Sequence, residues 1–553
     1  MKIINPVLPG FHPDPSICRV DDTFYIANST FEWFPCVTIH RSKNLRDWEL
    51  VPRPMDTASM PDLSGHPASG GIWAPCLSYA DGRFWLVYTD VKSWDGTKDN
   101  TNHGFKDCLN YLTTATAIEG PWTKPVFLNA SGFDPSLFHD VDGKKWLVNV
   151  LWDYRIKRNN FAGIVMQEYS MEQQCLIGDP HRIFVGTELG FTEAPHVYRH
   201  GSYYYLMTAE GGTGYAHAIT MARSKSLEGP YHVMPNNPLL SSVSNGPEFL
   251  TMWGESGFDK AKERYLRPGL QKAGHGSMAP LTEDTWILAH LCARPLQDGY
   301  HCILGRETAL QLVYWKKDEW PNLEANHPNA TFDIPLVCTD TTTKESGLWK
   351  EEFSSSQWSP ELMTLRIFSP EAYSLTERPG WITLKGGESP TSRFRQTLLA
   401  RRVTSLSWRS ETCIDYIPQS FQQFAGLLVR YDENSQVYQY ISQYDGKRIL
   451  SIMIYDGGTL SLPMEGSEII LPPSGAVYLA ASMEQEAIRF SWSLDNSSWK
   501  FLSPSIPGSL LSDENATPMG FTGMFVGIAS HDVSGMQASA YFDYLQYQDI
   551  AST

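Results

Sequence analysis

The sequence predicts an all-β protein, a five-bladed β-propeller followed by a β-sandwich, and three observations predict it. The first part of the chain repeats with a period near 60 residues, marked by Pro15, Pro75, Pro135 and Pro195. Each repeat reads as short strands separated by turn residues, with no long helical pattern anywhere. After about residue 320 the period stops, yet alternating strands with Asp-Gly turns resume from about 345. A unit of about four strands, repeated, is a propeller blade. The expected boundaries are 1–325 for the propeller, 326–344 for a polar, proline-bearing linker, and 345–553 for a two-sheet sandwich.

The repeats justify the blades one by one. They read FHPDPSICRVDDTFYIANST from residue 11, GIWAPCLSYADGRFWLVYTD from 71, SGFDPSLFHDVDGKKWLVNV from 131 and FTEAPHVYRHGSYYYLMTAE from 191. The fifth, GHGSMAPLTEDTWILAHLCA from 274, is offset by 81 residues when its His275 is aligned with Ala194. Its extra residues lie near 235–270 and read as a surface insertion. In a propeller the first strand of each blade lines the central channel. Asp14 and Asp134, each before its proline, and Glu193 and Trp73, each two before theirs, are therefore expected to meet in one pocket. The prolines are expected to hold the residues before them extended.

Composition narrows the function. The 553 residues are 42% hydrophobic and 19% charged, as in a folded protein. Aromatics make up 12%, which suits strands and also supplies flat faces for sugar rings. The net charge of −17, with no basic run, argues against nucleic acid or anionic membrane as a partner. Nine cysteines without metal-motif spacing read as reduced. The first residues lack a signal peptide's apolar core, and no 18-residue apolar run occurs, so a cytoplasmic setting is expected. The N-x-S/T sequons at Asn28, Asn129, Asn329, Asn496 and Asn515 are then chance matches.

Several acids in one pocket cannot all ionise freely, so one is left as a general acid beside a general base. The sequence has no metal motif, P-loop or dinucleotide fingerprint. Hydrolysis of a neutral polar substrate is the economical reading, and glycosidic bonds are the usual substrate of a carboxylate pair.

With these motifs in view, the chain resembles glycoside hydrolase family 43, in its intracellular β-xylosidase branch. The resemblance rests on NPVLPGFHPDPSI, GIWAPCLSY, SGFDPSLF, TEAPHVY, AEGGT and GHGS, and it covers nearly the whole chain. It implies a five-bladed propeller and an inverting mechanism. It implies Asp14 as the base that activates water and Glu193 as the acid that protonates the leaving oxygen. Asp134 would tune and orient Glu193. Arg294 would hold sugar hydroxyls and bias the carboxylates. His275 aligns with the blade-start positions and should sit near the axis, either as a structural histidine or, as in parts of the family, as a ligand to a structural Ca²⁺. No cofactor is expected to be required.

Trp73, Phe31 and Phe133 are candidate walls for ring stacking, with core packing as the plain alternative. Trp152 would line the leaving-group side, Thr213 resembles a family sugar contact, and His12 would support the site from behind. FSWSLDNSSWKFL in the second domain resembles lectin-like jelly-roll sandwiches. Its loop at 521–525, with Phe525, is expected to cap the pocket and confine action to chain ends. The expected function is exo-acting, inverting release of β-1,4-linked xylose from the non-reducing ends of xylo-oligosaccharides, with α-L-arabinofuranosidase side activity. Arabinan or arabinoside hydrolysis as the main task, and a non-catalytic glycan-binding propeller, are the competing readings. Oligosaccharide is the expected partner, in a chain that could form a homo-oligomer.

Overall fold

The computed structural model describes residues 1–51, 61–94, 104–155, 157–243, 269–325, 327–329, 331–334, 347–516, 520–535 and 537–550. Five antiparallel sheets follow one another in chain order. Their innermost strands are Ser16–Val20, Gly71–Ala80, Ser136–His139, Glu193–His200 and Gln271–Pro280. Each pairs with the next strand in sequence through a short turn. At Asp81 and Gly82 both residues have positive φ, as a two-residue hairpin turn matching the strand twist requires. The fourth sheet gains a fifth strand, Leu240–Ser241, from the start of the expected insertion. The rest of that insertion, 244–268, lies outside the described residues.

The innermost strands are stitched to their neighbours by three serines, Ser16 and Ser136 after their axial prolines and Ser277 in blade five. Ser16 Oγ accepts from Leu77 N–H at 2.9 Å, and Ser277 Oγ accepts from Ile17 N–H at 2.7 Å. Ser277 Oγ also donates to Pro15 O, and Ser136 Oγ donates to Pro195 O at 2.5 Å. These bonds satisfy polar groups on the axis and fix the blades' relative height.

The backbone before the axial prolines departs from expectation. Asp14, Ala74, Asp134, Ala194 and His275 all have positive φ, between 37° and 53°. They are left-handed rather than extended. For Ala74, Ala194 and His275 the reason is visible in the pairing: their inner strands carry register shifts at Trp73/Cys76, Glu193/His196 and Gly274/Gly276. A bulge inserts an extra residue, and that residue re-aims its side chain out of the ladder.

The ring closes where Ile3, Leu8 and Ile17 pack with Ile287, Leu310 and Phe332. Here the expected linker is corrected in part. Thr331–Asp333 is a strand paired with Lys2–Ile4, because Phe332 belongs to that apolar cluster. Residues 335–344 lie outside the described residues.

The second domain is a sandwich of two antiparallel sheets. One is built around Trp408–Asp415, Val477–Glu484 and Ser539–Asp549, the other around Gln423–Arg430, Gln436–Tyr444 and Phe525–Asp532. Leu427, Val429, Ile441, Leu479, Phe490, Ile528 and Phe542 fill the space between them. The domains share a further core. Phe11, Phe31 and Trp33 of the propeller pack with Leu365, Leu398, Tyr438 and Phe525 of the sandwich. Thr364–Leu365 adds a short pairing to Trp33–Phe34.

Candidate active site

The propeller axis opens into a narrow channel lined by Asp14, Asp134, His196 and His275, with Pro15, Pro75 and Pro135 around it. Asp14 and Asp134 occupy the left-handed positions just before the inner strands of blades one and three. Glu193 stands one residue before the equivalent position, Ala194, in blade four, and Trp73 stands one residue before Ala74 in blade two.

Each carboxylate is held differently. Ser29 Oγ donates to Asp14 Oδ2 at 2.6 Å and itself accepts from Ala74 N–H, tying blade one to blade two. His275 Nδ1 lies 3.4 Å from Asp14 Oδ1. Asp134, 6% exposed, accepts from Ala194 N–H at 3.1 Å, so it touches the backbone next to Glu193. Burial raises its pKa to about 6; the His275 charge opposes this and the Asp14 charge adds to it. Glu193 is 7% exposed. Burial holds its pKa well above the usual carboxylate range, the charges of Asp134 and Asp14 push it further up, and Lys106 pulls it down. Glu210 fixes the approach to Glu193 by accepting from Thr187 N–H and from Thr192 Oγ1. The cluster therefore sets a carboxyl group that holds its proton more tightly than usual beside other carboxylates in a buried site, which is what acid–base chemistry on a neutral substrate needs.

Trp73 is the centre of the aromatic wall. Its ring lies edge-on to Phe31, Trp94, Phe133 and Phe521, with centroids 5.8–6.1 Å apart. Its Nε1–H donates to Ser69 O at 2.8 Å. Phe31 and Phe133 are buried and back the wall rather than face the opening. Trp152 is half-buried with the Lys106 ammonium 4.6 Å from its ring centroid. His12 is buried, its Nδ1 bonded to Pro9 O and its ring edge-on to His40, a supporting position.

Two placements differ from expectation. Phe525 does not reach the pocket: it opens the strand Phe525–Asp532 and stacks on Trp33, centroids 3.7 Å apart, inside the interdomain core. Phe521 takes the capping position instead, stacked on Phe31 and Trp94, with its N–H donating to Ser69 Oγ. The backbone turns between them because Thr522 is buried and donates to Tyr431 O. Arg294 is committed elsewhere, with both guanidinium arms on Glu307 at 2.6 and 2.7 Å and one also on Thr404 O of the sandwich. A buried carboxylate beside it fixes the arginine at the domain junction. Thr213 is half-buried, and its carbonyl accepts from Arg306 Nη2.

Sequence reasoning missed Ser29, Lys106, Arg306 and Phe521. Arg306 is buried on Asp513, and its charge reaches His217 beside the axial His275. The run LGRET, two opposite charges side by side after a glycine, was its available signal. Lys106 sits in no repeat and had none.

Calcium takes six to eight oxygen ligands. Among the described residues no three His, Cys, Asp or Glu side chains are grouped to hold a metal, and the one axial imidazole near Asp14 does not make such a shell. The donor set does not fit a protein-held calcium.

With the geometry in hand, the comparisons agree. The family described as glycosyl hydrolases family 43 matches residues 3–321, and the beta xylosidase C-terminal concanavalin A-like domain matches 350–548. A beta-xylosidase of Bacillus subtilis (strain 168) is 46% identical over 99% of this chain and 100% of its own. Xylosidase/arabinosidase 43B of Humicola insolens is 43% identical over 99% of this chain and 98% of its own. The crystal structure of xylan beta-1,4-xylosidase from Bacillus halodurans C-125 superposes with a TM-score of 0.89 at 45% identity, covering 99% of this chain and 100% of that one.

Proposed function

This chain belongs to glycosyl hydrolase family 43, and from that premise we propose that it is an exo-acting, inverting β-xylosidase. It removes terminal xylose from β-1,4-linked xylo-oligosaccharides, with α-L-arabinofuranosidase as a side activity. One observation carries the reading: Glu193 is buried next to Ala194 of the axial pocket, where burial and the charges of Asp134 and Asp14 hold its pKa well above the usual carboxylate range.

In this mechanism Glu193 gives its proton to the glycosidic oxygen as the C1–O bond breaks. Asp14 takes a proton from water as that water bonds to C1 from the opposite face. The sugar leaves with inverted configuration, and the two carboxyl groups exchange protons with solvent to restore the start. Inverting pairs stand about 6.5–9.5 Å apart to admit the water. Asp14 and Glu193 come from blades one and four, which suits that separation. Asp134 sustains the Glu193 proton through its charge. The Phe521 loop of the sandwich over the Trp73 wall supports a pocket closed to internal residues of a chain. The relatives named xylosidase/arabinosidase support the arabinoside side activity, since both sugars share much of their hydroxyl layout. The eight described cysteines, all free, support a reducing, cytoplasmic setting.

The test is xylobiose hydrolysis followed by NMR, with nitrophenyl xyloside and arabinofuranoside kinetics alongside. Release of α-xylose as the first-formed anomer, and preference for the xyloside, are expected. No release, or β-xylose first, overturns the reading.

A further inference from the structure

Phe105 and Tyr154 are large apolar rings that face solvent, 68% and 50% exposed. They nonetheless stack on each other, with centroids 4.2 Å apart and planes 23° from parallel. They come from different blades. Phe105 precedes the strand Asp107–Ala115 of blade two, and Tyr154 follows Lys145–Trp152 of blade three. Trp152 Nε1–H donates to Gly104 O at 3.4 Å, which ties the two segments together beneath the pair.

The position of this pair relative to Glu193 gives it meaning. Lys106, next to Phe105, is close enough to Glu193 to draw its pKa down, and its ammonium lies over the Trp152 ring. Phe105 adjoins Lys106 in the chain and Tyr154 lies two residues beyond Trp152, so the exposed stack sits beside the Lys106–Trp152 contact. An acid that protonates the leaving oxygen must have the leaving sugar on its own side. The first leaving-group sugar therefore lies toward Lys106 and Trp152, and the next one reaches the exposed pair. A xylose ring is uncharged, lacks the hydroxymethyl group of glucose, and presents C–H groups on its faces. Such a face packs on a flat aromatic and sheds water from both.

We propose that Phe105 and Tyr154 form a stacking site for the second leaving-group xylose of a xylo-oligosaccharide. The proposal rests on the reading of Glu193 as the acid and of xylosides as the substrate. It predicts that chain length matters on the leaving side and that the two rings set how much.

The measurement is the ratio of kcat/KM on xylotriose to kcat/KM on xylobiose, for the full chain and for Phe105→Ala, Tyr154→Ala and Phe105→Trp. Each alanine variant should lower the ratio about fivefold. Phe105→Trp keeps a flat face and should hold the ratio at or above that of the unaltered protein. An unchanged ratio in both alanine variants, or an equal loss on both substrates, overturns the stacking site while leaving the β-xylosidase reading intact. A fall in Phe105→Trp matching that in Phe105→Ala overturns it too. An unaltered protein inactive on xylobiose overturns the substrate reading, and the stacking site with it.

Discussion

Glu193 keeps its proton mainly because it is buried, and next because Asp134 and Asp14 place negative charge nearby. That ranking has a kinetic consequence. In a reaction that needs protonated Glu193, the alkaline limb of the kcat profile marks the loss of its proton. Asp134→Asn removes the larger of the two neighbouring charges, so Glu193 should ionise more readily and the limb should move to lower pH. A limb that stays in place while kcat falls would confine Asp134 to holding the Ala194 backbone. The two central carboxylates separate by leaving group. Glu193→Ala should lose about 10²–10⁴-fold on xylobiose but far less on an activated phenyl xyloside, whose phenol leaves without a proton. Asp14→Ala should be poor on both, because water attack is common to both. The reverse pattern, measured in the same assay, would exchange the roles.

At the scale of elements, the repeat made the blades legible and the backbone at their inner ends illegible. Four prolines 60 residues apart put Asp14 and Asp134 at equivalent places, and the aligned TEAP put Glu193 beside them. The general rule that a residue before proline is extended then misleads: the residue at that place is left-handed in every blade, and in blades two, four and five a register shift of the inner strand accompanies it. Contacts made across the domains left no periodic trace, so Arg294 read as a sugar ligand and Phe525 as the cap. What the sequence did carry at that junction was glycine. Gly305 has φ +72°, and a Cβ there would lie 2.1 Å from Thr522 O; a Cβ on Gly523 would meet Leu304 O at 2.6 Å. Two backbones pass in contact, bound by the Met524 N–H to Ile303 O hydrogen bond, and that passage sets Phe521 over Trp73. Gly305→Ala should push Thr522 and Phe521 outward. The expected outcome is a several-fold rise in KM for xylobiose, with a loss of roughly 2 kcal/mol in stability. Parallel kinetics and thermal melts check it, and an unchanged KM would detach the loop from the pocket.

The whole molecule is joined through buried charge as well as apolar contact. Glu32 of the propeller is fully buried; its Oε2 accepts from Ser69 N–H, and its Oε1 has no hydrogen-bond partner. Across the junction Glu433 pairs with Arg366 at 3.3 Å and with Arg393 at 2.7 Å, while Arg366 also donates to His66 O. Burial raises the Glu32 pKa to about 8; Arg366 lowers it and the Glu433 charge raises it. At neutral pH Glu32 is thus mostly protonated in the folded protein, whereas in the unfolded chain, near the ordinary value of 4.5, it is ionised. Between those two values the folded state binds the extra proton, so the stability contribution is full below about 4.5 and falls as pH rises toward 8, then levels off. Glu32→Gln keeps a neutral side chain at every pH and escapes that fall. At pH 8.5 it should be more stable than the unaltered protein by about 1–3 kcal/mol, read as a higher melting temperature. The difference should shrink steadily toward pH 5. Because the site joins the two domains, the gain should appear in a transition that both domains share. A difference that stays constant from pH 5 to 8.5 would mean that Glu32 does not titrate in this range. Its place between Ser69 and the arginines would then be one of packing alone.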